Sequence, residues 1–238
     1  MLVLGIETST PRSSVALADE HGLVAAAGLG VPRRHGEFVA PAIRFCLEQA
    51  GVGLDKVSGV AVGLGPGLYT GLRVGIATAQ ALAAARELPV VGMSGLDVLA
   101  FRERYVRRLI CACIDARRGE LFWAFYRTTP GGVQRIGDLE VGRPERLAAE
   151  IDEQGEECLV VGDGGIVAAT HLREVGAEVA GVDNASPEAA ELAELAVPRF
   201  IREETQRAPE LRPIYLRQAD ARIGWQERGR LRGGEATM

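Results

Sequence analysis

Leu2 to Glu7 is an apolar run that stops at Glu7-Thr8-Ser9-Thr10, which predicts a buried strand ending in a polar turn. Pro11 and Arg12 turn the chain. Ser13 to Ala18 and Leu23 to Leu29 predict two further strands, with a hairpin at Asp19 to Gly22. The period then lengthens. Glu37 to Ala50 reads as a helix closed by Gly51, with one apolar stripe at Val39, Ile43, Cys46 and Leu47 and another at Phe38, Ala42 and Phe45. One stripe suffices to cover a sheet, so the second asks for another partner or a wide core face. Leu54 to Val57 predicts a short helical turn. A buried strand from Val60, a glycine turn, a helix from Thr70 to about Glu87, a strand at Pro89 to Gly92 and a helix capped by Ser94 and running to about Glu103 follow.

The second half repeats that order. Leu109 to Ile114, Glu120 to Arg127 and a weaker Val133 to Val141 predict strands, with a turn at Asp115-Ala116-Arg117-Arg118-Gly119. Pro144 suits the first position of a helix running to about Glu153. Cys158 to Val161 predicts a strand leading into Gly162-Asp163-Gly164-Gly165. Ile166 to Val175 predicts a helix and Glu178 to Val182 a short strand. Ser186-Pro187-Glu188 starts a helix to about Glu204, kinked at Pro198. Pro209 to Arg217 reads as extended, and the tail from Gln218, rich in Arg, Gly and Glu, as mobile. No residue-level repeat accompanies the repeated order. Two copies of three hairpin-linked strands followed by alternating helices and strands predict two similar α/β domains, at 1–104 and 105–217, with the tail at 218–238.

Composition changes this picture little. The chain is 47% hydrophobic and 25% charged, as globular proteins are. A formal charge of -5 gives no general attraction for nucleic acid. No apolar stretch approaches the roughly 20 residues of a membrane span, and Met1-Leu2-Val3-Leu4-Gly5 reads as a strand rather than a signal peptide, which places the protein in the cytoplasm. Cys46, Cys111, Cys113 and Cys158 form no CxxC pair. Cys111 and Cys113 point to the same side of a strand and read as small buried hydrophobes. His21, His35 and His171 are isolated, and His35 is expected at the start of the first helix, capping it or exposed.

The stretch from Gly63 to Ala83 carries most of the candidate chemistry. Gly63, Gly65 and Gly67 flank Pro66 in a sharp turn, Thr70 is placed to cap the next helix, and Gly71, Gly75, Ala79 and Ala83 recur every four residues. Such a face suits a phosphate cradle, close packing on the helix's own sheet, or close approach of a partner helix.

Several segments together resemble the TsaB (YeaZ) family, a bacterial component of the machinery that makes threonylcarbamoyladenosine in tRNA. They are Gly5-Ile6-Glu7-Thr8-Ser9, Gly63 to Gly75, Asp115-Ala116-Arg117-Arg118-Gly119-Glu120, Gly162-Asp163-Gly164 and Pro213-Ile214-Tyr215-Leu216-Arg217. Gly65-Pro66-Gly67 with Thr70-Gly71-Leu72-Arg73 is the most specific part, and Leu68-Tyr69 stands where the family usually has Ser-Phe. The resemblance implies an actin-like (ASKHA) α/β fold of two ribonuclease-H-like domains, with mixed sheets flanked by helices. It implies a non-catalytic subunit that supports the paralogous TsaD-type transferase together with a TsaE-type ATPase, meets tRNA only through the complex, and self-associates when alone. The pairing surface it implies is a four-helix bundle built from Glu37 to Ala50 and Thr70 to Glu87, with Phe38, Ala42, Phe45, Leu72, Arg73, Gly75, Ile76, Ala79, Gln80 and Ala83 at the interface.

Two hairpin turns grip phosphates in nucleotide-using members of the superfamily. Here the first is Glu7-Thr8-Ser9-Thr10-Pro11, with no glycine after the acid, and the second has Arg117 and Arg118 in place of glycines. Glu7, Thr8, Ser9, Asp115, Arg117, Gly162, Asp163 and Gly164 are therefore expected to be at most a vestigial nucleotide site. The histidine pair of the catalytic paralogue falls by position on Met93 and Asp97, so no metal site of that design and no cofactor is expected. Ser94 has no Gly-x-Ser-x-Gly elbow around it. The rival expectation is an ATP-dependent kinase or carbamoyl transferase of the same fold. A third is an RNA-binding module using the arginines at 217, 222, 228, 230 and 232.

Overall fold

A computed structural model describes residues 1–216. The predicted tail at 218–238, with Arg217 and its RNA-contact arginines, lies outside the described residues.

The chain opens with β1 (Val3–Glu7), β2 (Ser13–Asp19) and β3 (Gly22–Leu29), continues through α1 (His35–Gln49), β4 (Gly59–Gly63), α2 (Tyr69–Arg86) and β5 (Val90–Met93), and reaches α3 (Gly95–Arg102). The strands lie in the order β3-β2-β1-β4-β5, antiparallel across the hairpins and parallel from β1 outward through β4 to β5. The order then recurs. β6 (Leu109–Arg117), β7 (Glu120–Thr129) and β8 (Gly132–Gly142) lead through α4 (Pro144–Gln154) to β9 (Cys158–Val161). Two short helices, α5 (Asp163–Val167) and α6 (Ala169–Glu174), precede β10 (Glu178–Val179), and α7 (Ala189–Ile201) closes the series. The second sheet runs β10-β9-β6-β7-β8, the first order read from the other edge. This is the duplicated ribonuclease-H-like plan of the actin-like α/β class.

Both faces of the inner strands are buried, which is why β1 and β4 read as continuous apolar runs. On one face of the first sheet Leu4, Ile6, Val60 and Val62 pack against Val39, Ile43 and Leu47 of α1 and Ile76 and Ala79 of α2. On the other face Val3, Ala61 and Val91 pack against Leu192, Ala193 and Val197 of α7. The approach is close: a Cβ on Gly5 would stand 2.6 Å from the carbonyl oxygen of Ala189. The second sheet is covered on one face by α4 and α6, and on the other by Leu96, Leu99 and Ala100 of α3. Each half thus lends a helix to the other half's sheet. Arg102 of α3 joins the two loans, with Nε donating to Glu191 Oε1 of α7 at 2.8 Å and Nη1 to the Asp183 carbonyl at 2.7 Å.

Several local expectations change. Thr70 does not cap α2. Leu68 is the cap residue, no side chain bonds the first amides, and the Leu68 amide donates to the Ser9 carbonyl at 2.7 Å. The predicted helix from Ile166 to Val175 breaks at Ala168, and the strand from Glu178 shortens to two residues. Ala208–Glu210 forms a single 3-10 turn within the segment read as extended. Ser94 does cap α3, its Oγ accepting from the Leu96 amide at 3.2 Å. The four cysteines are buried and free, with Cys111 and Cys113 on one face. Pro198 lies inside α7.

Candidate functional site

Three turns meet where the central strands of the two sheets end. β1 ends in Glu7, whose side chain is fully buried. Its Oε1 accepts from the Ser9 amide at 2.6 Å, while Oε2 has no hydrogen-bond partner. Burial pushes the Glu7 carboxyl up to about 7, against the opposing pull of the Ser9 hydroxyl and amide. The residue facing it is Gly63 of β4, and a Cβ there would overlap Oε2. Thr8 turns the other way, its Oγ1 donating to the Gly71 carbonyl of α2 at 2.8 Å. The second hairpin closes on itself. Asp115 Oδ1 accepts from the Arg117 amide at 2.8 Å, and Arg117 Nη1 donates to Asp115 Oδ2 at 2.9 Å. The third turn joins it, Asp163 Oδ1 accepting from the Asp115 amide at 2.9 Å, and burial raises the Asp163 carboxyl. Gly162 and Gly164 lie against Cys113 of β6, with Gly162 at φ 104°. Gly95 links the two sides of the cleft, since a Cβ there would stand 3.4 Å from Ser9 Oγ and 3.6 Å from Ile114 Cδ1.

The structure therefore buries Glu7, Thr8 and Ser9 at the end of β1 and gathers Asp115, Arg117, Gly162, Asp163 and Gly164 at the end of β6, with Gly95 between the two groups. Their carboxylates accept from the amides of Ser9, Asp115 and Arg117. A phosphate cradle needs such amides free and converging. Asp97, at the second position of the paralogue's histidine pair, accepts from the Tyr126 hydroxyl at 2.8 Å, and Met93 is in the core. Among the described residues no three His, Cys, Asp or Glu side chains form a metal cluster.

The small-residue face of α2 is a correction. Gly71, Gly75, Ala79 and Ala83 face the helix's own sheet rather than a partner. A Cβ on Gly75 would stand 2.5 Å from Thr8 Oγ1 and 3.6 Å from Val62 Cγ2, so the glycine lets α2 lie against β1 and β4. Leu72, Ile76 and Ala42, placed at the interface by the sequence, are buried in the same interior. Gln80 is tied down, its Nε2 donating to the Ala208 carbonyl at 3.0 Å. Of the expected interface set, Arg73 and Phe45 are exposed and Phe38 is half-buried. The outward stripe of α2 is Arg73, Ala77, Ala81 and Ala84. At the edge of the first sheet, Ala27, Leu29, Phe38, Pro41 and Phe45 line a shallow groove of about 370 Å³ on β3 and α1. The sequence reading missed Ala77, Ala81 and Ala84. Their signal was the second run of small residues on the same helix, with Ala77 and Ala81 two positions out of phase with the first. His35 is a further correction. It is neither a cap nor exposed, but 5% exposed with Nδ1 2.6 Å from Ser13 Oγ.

Two ribonuclease-H-type units with exchanged helices and a cleft between them define a protein of the actin-like class. The family model described as TsaD, tRNA N6-adenosine threonylcarbamoyltransferase, matches residues 30–225. The chain is 33% identical to the tRNA threonylcarbamoyladenosine biosynthesis protein TsaB of Escherichia coli K12 over 221 residues, 91% of this chain and 95% of that protein. It is 32% identical to the Haemophilus influenzae TsaB over 227 residues, 91% and 94% of the two chains. The solved structure of YeaZ from Pseudomonas aeruginosa superposes with a TM-score of 0.80 at 32% identity, covering 90% of this chain and 99% of that one. The chain belongs to the TsaB (YeaZ) proteins of this family. Among the described residues no helix is long and apolar enough to cross a membrane.

Proposed function

We propose that this chain is a non-catalytic subunit in the formation of N6-threonylcarbamoyladenosine in tRNA, acting in the cytoplasm by binding and supporting a TsaD-type transferase. Its TsaB relatives are named as biosynthesis proteins of that nucleoside, which supports the pathway assignment. One observation carries the non-catalytic reading. The amides that a nucleotide-using relative would offer to phosphates here donate to Glu7, Asp163 and Asp115. The kinase or carbamoyl transferase reading needs those donors free. The partner is held by the outward residues of the first two helices, Phe45, Arg73, Ala77 and Ala81, and by the groove at Phe38. Small side chains there let another helix pair approach, and two copies of the chain pair through the same face when the transferase is absent. A TsaE-type ATPase joins the assembly, and tRNA meets this subunit only through it.

Reconstitution tests this reading. The purified chain, a TsaD-type transferase and a TsaE-type ATPase are supplied with an activated threonylcarbamoyl donor, ATP and tRNA, and the modified nucleoside is measured by mass spectrometry. Product is expected only when this chain is present, and Asp115→Asn in this chain leaves the yield unchanged. A strong loss with Asp115→Asn in a folded variant that still binds the transferase would show that the cleft takes part in chemistry.

A further inference from the structure

A cavity of about 630 Å³ opens beside the mouth of the cleft, between the N-terminal ends of α1 and α2 and the second hairpin. Its wall is positive. Arg33 and Arg117 line it, and no Asp or Glu does. Arg33, at φ 66°, makes no hydrogen bond or ion pair among the described residues. Arg117 spends Nη1 and its backbone amide on Asp115 and lines the cavity with Arg33. Because no side chain caps α2 and the first intrahelical bond is from the Leu72 amide to Leu68, the amides of Tyr69, Thr70 and Gly71 have no partner among the described residues.

The buried His35 gives the second, independent mark of a ligand. Ser13 holds Nδ1, and Nε2, on the opposite side of the ring, faces Gly71 in the cavity wall with no partner among the described residues. An anion in the cavity selects the tautomer in which the Ser13 hydroxyl donates to Nδ1 and Nε2 carries the proton as a donor. Burial lowers the His35 pKa, so the ring serves as a neutral donor.

We propose that this cavity binds a small phosphate monoester, its dianionic group held by the α2 amides, His35 Nε2, Arg33 and Arg117. Three terminal oxygens match three sets of donors; Arg33 supplies the uncompensated positive charge, and Arg117, already paired with Asp115, adds donors rather than net charge. The rest of the wall is apolar, with Pro32, Leu68 and Val74, so the ester's body is a compact ring rather than a charged chain. The cavity shares Arg117 with the second hairpin but none of the amides that bond Glu7, Asp115 and Asp163.

Calorimetry on the full chain tests the proposal, with inorganic phosphate and phenyl phosphate as probes. Phenyl phosphate is expected to bind about tenfold or more tightly than inorganic phosphate. Arg33→Asn, which accepts the positive φ, weakens binding by about tenfold or more. Thr70→Glu places a carboxylate in the first turn of α2, which favours the helix, so its melting temperature holds or rises while binding is lost. No heat with either probe at about 10 mM, well above the range of a built site, overturns the proposal. So do equal affinity for the two probes, and unchanged binding in both folded variants.

Discussion

Replacing Glu7 by Gln isolates the energetic cost of one buried acid. The side chain is fully buried, one oxygen accepts from Ser9 and the other has no partner. In the unfolded chain it titrates at its ordinary value of 4.5, and in the fold at about 7. The folded state therefore binds its proton more tightly. Below pH 4.5 both states are protonated and the group is neutral to stability. Between 4.5 and 7 the unfolded chain releases the proton while the fold keeps it, so stability falls as pH rises. Above 7 the fall is complete. At about 1.36 kcal/mol per decade of proton affinity, it amounts to about 3 kcal/mol. Gln keeps an acceptor for the Ser9 amide and never ionises. Urea unfolding of both proteins from pH 4.5 to 8 should therefore give a difference that drifts by about 3 kcal/mol in favour of the variant. By melting temperature the drift is about 6 to 12 °C for a chain of this size. Titrations elsewhere cancel in the difference. A difference constant across that range, or drifting the other way, refutes the reasoning.

Three further outcomes follow from the packing. Gly75→Arg and Ala79→Arg drive a charged chain into the interior against β1 and β4 and should cost at least about 4 kcal/mol, read by thermal melting. Ala77→Arg and Ala81→Arg sit on the outer stripe and should change stability by less than about 0.5 kcal/mol while abolishing pairing in sedimentation. Unchanged pairing would remove α2 from the interface. Arg102→Ala strips Glu191 and the Asp183 carbonyl of their shared donor and should cost about 2 kcal/mol by chemical denaturation, with Arg102→Lys recovering only part of it.

The layered order of the fold was legible in the sequence because each sheet announces itself through runs such as Leu2 to Glu7 and Leu109 to Ile114, and hairpins through their turn residues. The direction of α2 was not. Gly71, Gly75, Ala79 and Ala83 form the same stripe whether a sheet or a second molecule lies beyond it, because both need small side chains. Only the position of β1 decides between them, through Thr8. His35 was misread for a related reason. An isolated histidine near a helix start looks solvent-facing until the fold brings Ser13 beside it. The cleft was read more fully. Arg117 and Arg118 in place of glycines already pointed to a hindered hairpin, though not to the positive φ of both or to the uptake of the neighbouring amides by Asp115 and Asp163. The uncapped start of α2 was hidden because Thr70 has the chemistry of a cap but stands two residues too late.

The exchange of α3 and α7 sets a timetable for synthesis. β5 ends at Met93, but the helix that seals the far face of its sheet runs to Ile201. At ribosomal rates the intervening stretch takes about 5 to 20 s to make. During that interval Val3, Ala61 and Val91 lack Leu192, Ala193, Val197 and Phe200 and keep only Val98 of α3 beside them from their own half, so most of that face of the nascent first sheet is open. A fragment ending at residue 104 should bind hydrophobic dyes and aggregate, and the full chain should reach its native state only after release of its last helix.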